Sequence, residues 1–319
     1  MEKNNISPEK FEKPVPLERK ELLQAENITL LPEASHISLE EISERFGKDK
    51  KVIVCDLYLD QIESRGNEDQ YGLVYENITN IDHHAPITAM ERPISSATLA
   101  IKYVEQFGAQ KDAIVVVNHT DCDSTLSSSI IRGTLAAEQR FSDAAIAADH
   151  TGEPNAIADL LQALDSKRNL DFSLRNLNLL LNGQELEEEA QALLNKRLGD
   201  RDRAKAFVES GAFETLGHVA YAEATAKFDG AFLPSLLPEA WVIVLGSPLK
   251  DKEGNIVPEV NEIKIRLGKS APEGMTLQSL GLKDTDIKFG GRWNAGSNKR
   301  GGGTNLSVKE CAETINNLL

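Results

Sequence analysis

The feature that most constrains this chain is the stretch from residue 114 to residue 124, Ile-Val-Val-Val-Asn-His-Thr-Asp-Cys-Asp-Ser. Its first four residues are a β-branched run, which predicts a short strand buried on both faces. The run gives way to His119, Asp121 and Asp123 at alternating positions. Open α/β sheets place their sites beyond the carboxyl ends of such strands. An imidazole and two carboxylates at this spacing can converge on a divalent cation. A second stretch repeats the arrangement, the run 78–81 leading straight into Asp82, His83 and His84. Two ligand clusters at two strand ends predict a binuclear metal site.

With 319 residues the chain is long enough for two domains and a sizeable core. No run approaches the roughly 18 apolar residues of a membrane span, and Met1-Glu2-Lys3-Asn4-Asn5 opens no signal-peptide pattern. Three cysteines, Cys55, Cys122 and Cys311, make no disulfide framework, so a reducing cytoplasm is the expected compartment. Cys122 lies between two candidate ligands and reads as a small residue packed beneath the site. The net charge of −15 argues against stable binding to duplex DNA. That charge is uneven. Residues 241–319 hold eleven Lys and Arg against nine Asp and Glu, which leaves −17 on residues 1–240. An acidic front fits a carboxylate-rich site, and a mildly basic back fits a grip on phosphates.

In chain order, residues 1–25 are rich in Lys, Glu and Pro and read as a flexible arm. Ser38 and Glu41 form the pattern of a capping box for a helix ending before Gly47. Residues 52–55 predict a strand that ends at Asp56. A helix is expected from about Ser96 to Gly108, then the strand 113–117, then a second helix over 126–139. Residues 144–148 lead into Asp149-His150-Thr151-Gly152, read as a further strand end. This alternation predicts an α/β fold with a doubly wound, mostly parallel sheet in a catalytic domain spanning 26–210. A smaller α/β domain is expected over 211–319, with strands near 218–222, 241–245 and 262–267 and a last helix from Ser307. Gly211 and Gly217 would bracket the boundary.

The histidine census discriminates most. There are six, His36, His83, His84, His119, His150 and His218, and four of them lie near an aspartate at an expected strand end. One such histidine is usually structural; four together point to metal. These residues resemble the DHH phosphoesterase superfamily, which includes RecJ-type exonucleases, nano-RNases, family II inorganic pyrophosphatases and exopolyphosphatases. His119-Thr-Asp121-Cys-Asp123-Ser124 resembles the first family motif, Asp56 the second with its bridging carboxylate, Asp82-His83-His84 the third, and Asp149 with its neighbours the fourth. The stretch 290–304 resembles the glycine cluster of the C-terminal domain associated with DHH proteins. In that family the first motif normally precedes the others, whereas here it falls between the third and the fourth. A circular permutation of the catalytic domain accounts for the order. The His119–Asp121 spacing is shorter than in the pyrophosphatases, which disfavours that activity.

The resemblance implies two Mn²⁺ ions, with Mg²⁺ or Co²⁺ as alternatives and zinc allowed by the ligand types. Their ligands would be His119, Asp121, Asp123, Asp56, His83 and Asp149, with His84 and Asp82 catalytic and His84 bonding the substrate phosphate. A glycine-rich loop with cations just ahead of a helix also favours phosphate. Arg292, Lys299, Arg300, Gly301, Gly302 and Gly303 are therefore expected to bind substrate, with Arg266 as a lesser candidate. Trp293 could stack on a base, although a buried tryptophan is commoner. The expected activity is hydrolysis of a nucleotide, short oligonucleotide or cyclic dinucleotide in a cleft between the domains. A polyphosphate or pyrophosphate hydrolase, and a catalytically idle nucleotide-binding regulator, are the rivals. No membrane partner is expected, and a homodimer is compatible with the sequence.

Overall fold

The computed structural model describes residues 28–31, 37–84 and 93–319. The arm expected over 1–25 and His36 lie outside the described residues. The chain builds a mixed α/β structure on two six-stranded sheets. In the first, the strand order is Ile28–Leu30, Ile114–Val117, Val52–Cys55, Ile78–Ile81, Gly72–Tyr75 and Asn67–Asp69. The first four strands are mutually parallel, and the last two turn back antiparallel at the edge. The apolar runs are buried on both faces because both faces are covered. On one face Ile53, Val115 and Val117 pack against Leu99, Leu126, Ile130 and Leu174 of the helices. On the other, Val52, Val54 and Ile78 meet Leu39, Ile42 and Ile62.

Helix Leu39–Phe46 begins at the expected capping box, where the Glu41 amide donates to Ser38 Oγ and the Ser38 amide to Glu41 Oε2. Helix Ser96–Phe107 also runs as expected and stops at Gly108. The next segment differs. The helix expected over 126–139 instead spans Cys122–Arg132 and stops at left-handed Gly133. It begins inside the ligand stretch because the Asp121 side chain accepts the Ser124 amide and caps it. Nor is Asp149-His150 a strand end. Helix Gln139–Ile146 runs on into a π-helical turn, Ala147–Thr151, which carries both residues and closes at Gly152. Single π-turns of this kind recur at functional sites.

The second sheet has the order Gly290–Gly291, Ala295–Ser297, Ile256–Leu267, Val242–Lys250, Val219–Glu223 and Glu214–Leu216. It is antiparallel except between Val219–Glu223 and Val242–Lys250. The expected strands are present, Val219–Glu223 shifted by one residue and Val242–Lys250 and Ile256–Leu267 longer than expected, and Gly217 lies in the turn of the first hairpin. Helix Val308–Leu318 starts at the expected Ser307 cap and packs Cys311 and Ile315 on one face. Helix Glu188–Glu209 serves both halves, with Ala190 beside Leu160 and Phe172 near its start and Phe207 against the second sheet near its end. Among the described residues no helix is long and apolar enough to cross a membrane.

Candidate metal centre

The parallel register sets the site. Cys55 pairs with Ile81 and Val54 with Val116, so the carboxyl ends of three neighbouring strands fall along one edge of the sheet. Asp56, Asp82 and the pair Asn118-His119 follow directly. Asp56 has φ +51°, a left-handed conformation that aspartate tolerates better than most residues. Its carboxylate is buried and fixed at both oxygens, Ser96 Oγ donating to Oδ1 at 3.0 Å and Ser124 Oγ to Oδ2 at 2.8 Å.

Two histidines approach that carboxylate from opposite sides. His83 donates Nδ1–H to the Ile94 carbonyl at 2.9 Å. Its Nε2 lies 3.5 Å from Asp56 Oδ1, 3.5 Å from Asp123 Oδ2 and 3.3 Å from Asp149 Oδ2, with no hydrogen-bond partner. His119 donates Nδ1–H to Asn118 Oδ1 at 2.6 Å, and its Nε2 lies 3.3 Å from Asp56 Oδ2 and 3.5 Å from Asp121 Oδ2. Each ring spends one nitrogen on a carbonyl and turns the other toward a different oxygen of Asp56. A carbonyl behind the ring fixes the tautomer of metal-ligating histidines in the same way. The geometry thus offers two cation positions that share Asp56, and the donor set fits a divalent ion at each.

The electrostatics agree. Burial pushes the Asp121 carboxyl up to about 6, with Asp56 adding to the shift and His119 opposing it. Burial, and then Asp56, lifts Asp123 well above the usual carboxylate range. Against burial, Asp121 and Asp56 raise His119 to about 9, and Asp149 and Asp56 raise His83 well above its ordinary value. Asp56, against burial, is held well below by His83, His119 and His84. Carboxylate charge exceeds what the two rings offset, so protons and cations compete for the same Nε2 positions. Asp123 is also an anchor, accepting the Ser96 and Ala97 amides at 2.7 Å on its two oxygens at a helix N-terminus.

Asp82 and His84 stand beside this cluster. His84 Nδ1 lies 2.6 Å from Asp82 Oδ1, and its Nε2 accepts from Arg292 Nη1 at 2.8 Å. Both ring nitrogens are thereby engaged, although His84 Nδ1 lies 3.7 Å from Asp56 Oδ1. The same Arg292 Nη1 reaches Asp149 Oδ2 at 3.1 Å, so the second half of the chain touches the cluster directly. His150 is buried between the halves. It meets the Ile94 carbonyl at 2.8 Å through Nε2 and Asn294 Nδ2 at 2.6 Å through Nδ1. Burial, with His83 next, pushes it down to about 3; both ring nitrogens carry hydrogen bonds, and the ring stands with His83 and Asp149 in a group that could hold a cation.

The other expected substrate residues separate. Arg266 Nη1 donates to the Asp149 carbonyl at 3.1 Å. Together with Lys264 and Arg300 it lines a cavity of about 600 Å³ walled by Leu233, Gly290 and Gly291. Lys299 is exposed, with Nζ 3.9 Å from Glu262. Gly301, Gly302 and Gly303, expected to bind substrate, have their amides turned inward. Their amides donate to the carbonyls of Asn298, Lys299 and Asn298 at 2.9, 3.1 and 3.1 Å, which makes the segment a closed turn. Gly303 is there for space as well, since a Cβ would lie 2.6 Å from Val260 Cγ1. Trp293 is buried against His150, with ring centroids 5.0 Å apart, and does not offer a face to a base. Sequence reasoning assigned no role to Ser96, Asn118, Ser124 or Asn294. Asn118 and Ser124 flank the ligand stretch and Asn294 follows Arg292 by two, so adjacency was the available signal. Ser96 gave none.

No protein-family model matches the sequence, and no curated protein matches it. Among solved structures, the chain has a TM-score of 0.39 and 9% identity to a pGpG-specific phosphodiesterase, PggH, from Vibrio cholerae, covering 68% of this chain and 87% of that one. An exopolyphosphatase-related protein from Bacteroides fragilis gives a TM-score of 0.35 at 13% identity, covering 88% of this chain and 74% of that one. An uncharacterized Helicobacter pylori protein gives 0.24 at 13% identity, with 86% of each chain covered. At these levels of similarity the functional reading rests on the geometry of the site.

Proposed function

We propose that this chain is a two-domain, metal-dependent phosphoesterase of the DHH type with a circularly permuted catalytic domain. The observation that carries the reading is the sharing of Asp56, one oxygen facing His83 Nε2 and the other His119 Nε2. One ion would be held by Asp56, His83, Asp123 and Asp149, the other by Asp56, His119 and Asp121. When bound, two divalent ions supply Lewis acidity and a clamp for in-line displacement at phosphorus. Manganese suits mixed imidazole and carboxylate ligation. The permuted order is supported by the sheet, where the strand before His119 sits beside the strand before Asp56 although 61 residues separate Val116 from its partner's neighbour Cys55.

The chain's own groups divide the rest of the work. Ser96 and Ser124 hold the Asp56 carboxylate in one orientation. Asp82 orients His84, whose Nε2 takes the Arg292 guanidinium; a phosphoryl oxygen that draws Arg292 onto itself would free Nε2 to carry a proton toward the phosphate or its leaving group. The cavity beside Arg266, with Lys264 and Arg300 on its walls, would take the remainder of an anionic substrate. A domain division near residue 210 would leave the cluster in one domain and the cavity in the other. Trp293's burial removes the stacking platform that would single out nucleotides, and this favours a polyphosphate or pyrophosphate as the second reading. A hydrolysis panel with Mn²⁺ tests both, read by product chromatography for a short oligonucleotide and a cyclic dinucleotide and by phosphate release for a nucleotide and a polyphosphate. Chelator-sensitive hydrolysis of one class is expected; hydrolysis that survives ion stripping would overturn the proposal.

A further inference from the structure

Asn294 lies in the second half of the chain, buried, and touches the first half at two points. Its Nδ2 donates to the Asp149 carbonyl at 3.1 Å and to His150 Nδ1 at 2.6 Å. The Asp149 carbonyl fixes which way the amide points, because the opposite flip would set two oxygens against each other. With Nδ1 accepting, the neutral His150 ring carries its proton on Nε2 and donates it to the Ile94 carbonyl. That carbonyl also accepts Nδ1–H of His83, whose Nε2 faces Asp56, Asp123 and Asp149. One amide group therefore determines the orientation of two candidate ligands, Asp149 directly and His83 through His150 and Ile94.

We propose that Asn294 is a positioning residue for the buried cation position, so that the C-terminal half completes the metal centre. The inference rests on reading the cluster as a cation site. Outer partners of metal ligands typically contribute about 10–100-fold in ion affinity. An aspartate at 294 keeps the volume but replaces the donor with an acceptor. It removes the donor from His150 Nδ1 and sets a carboxylate oxygen against the Asp149 carbonyl. The far end of the strand Ala295–Ser297 supplies a control in Asn298, equally buried, whose side chain accepts the Ile263 amide at 2.8 Å and donates to the Asn261 carbonyl at 3.4 Å, all within the second sheet.

Calorimetric titration of the ion-stripped full chain with Mn²⁺ alone, alongside thermal midpoints of the stripped proteins, tests the assignment. Asn294→Asp is expected to weaken Mn²⁺ binding at the tighter position by about tenfold or more. Asn298→Ala is expected to lower the midpoint while leaving Mn²⁺ affinity within about twofold, since no outer partner of a ligand is lost. Should Asn294→Asp not fold, His150→Gln breaks the same relay and must show the same loss. Parent-like affinity in the Asn294 variant, or an equal loss in Asn298→Ala, overturns the inference while the cation site stands. A parent chain that takes up no Mn²⁺ overturns both.

Discussion

The two sides of Asp56 differ in depth and in origin. The His83 side is sealed, with His83 and Asp123 side chains wholly buried, and its Asp149 comes from a π-turn braced by Arg266, Arg292 and Asn294 of the other half. The His119 side is open, with 31% of the His119 side chain and 18% of Asp121 exposed, and apart from Asp56 its groups come from the three residues 119–121 just beyond a single strand. A buried position built from both halves suits an ion that is held permanently. An open one built from local residues suits an ion that exchanges and meets substrate.

Variants can break this contrast. The largest effect is expected from Asp56→Asn, which weakens both positions at once. Substrate hydrolysis should fall to background and Mn²⁺ uptake should drop at both sites, while the circular-dichroism spectrum stays that of the parent. An active Asp56→Asn enzyme would remove the shared-carboxylate reading. Next come the two histidines taken separately. His119→Ala should leave one tightly bound Mn²⁺ per chain, whereas His83→Ala should leave only weak binding, as read by calorimetry. Identical isotherms for the two variants would mean that the positions are not distinct.

Gly152→Ala probes the sealed side from the backbone. Gly152 has φ +66°, and a Cβ there would sit 2.2 Å from the Ala231 carbonyl oxygen. Strain of this kind costs on the order of 1–3 kcal/mol, and more where backbone must move. The thermal midpoint should fall, and ion affinity should fall on the His83 side alone. The smallest effects belong to two cations, Arg292 beside the cluster and Arg300 on the cavity wall. Arg292→Ala removes a charge-assisted contact worth about 1.5–3 kcal/mol, so KM for a polyanionic substrate should rise roughly 10- to 150-fold. Exposed Arg300→Ala should raise it by no more than about fivefold, the range of a solvent-screened charge. A nitrophenyl phosphate should be insensitive to Arg300→Ala, and an equal loss on both substrates would make that residue structural.

The open side was legible in the sequence and the sealed side only partly. Val52–Cys55, Ile78–Ile81 and Ile114–Val117 are β-branched runs ended by polar residues, and that pattern identifies a buried parallel strand with functional groups at its end. Asp149 was noticed but misplaced, because the apolar run 144–148 is too short for periodicity to separate strand from helix. The glycines after Arg300 read as a nest, yet whether an amide is free depends on which carbonyl lies near it in three dimensions. Asn294 and Ser96 act across 145 and 40 residues of sequence, on Asp149 and Asp56 respectively. Spacing along the chain carries no trace of such pairings.

The sharing of Asp56 is tested most directly by anomalous diffraction from crystals of the full chain soaked in Mn²⁺. Two peaks are expected about 3.5–4 Å apart, one beside Asp56, His83, Asp123 and Asp149, the other beside Asp56, His119 and Asp121. A single peak, or two that do not lie on opposite oxygens of Asp56, would contradict a binuclear centre bridged by this residue.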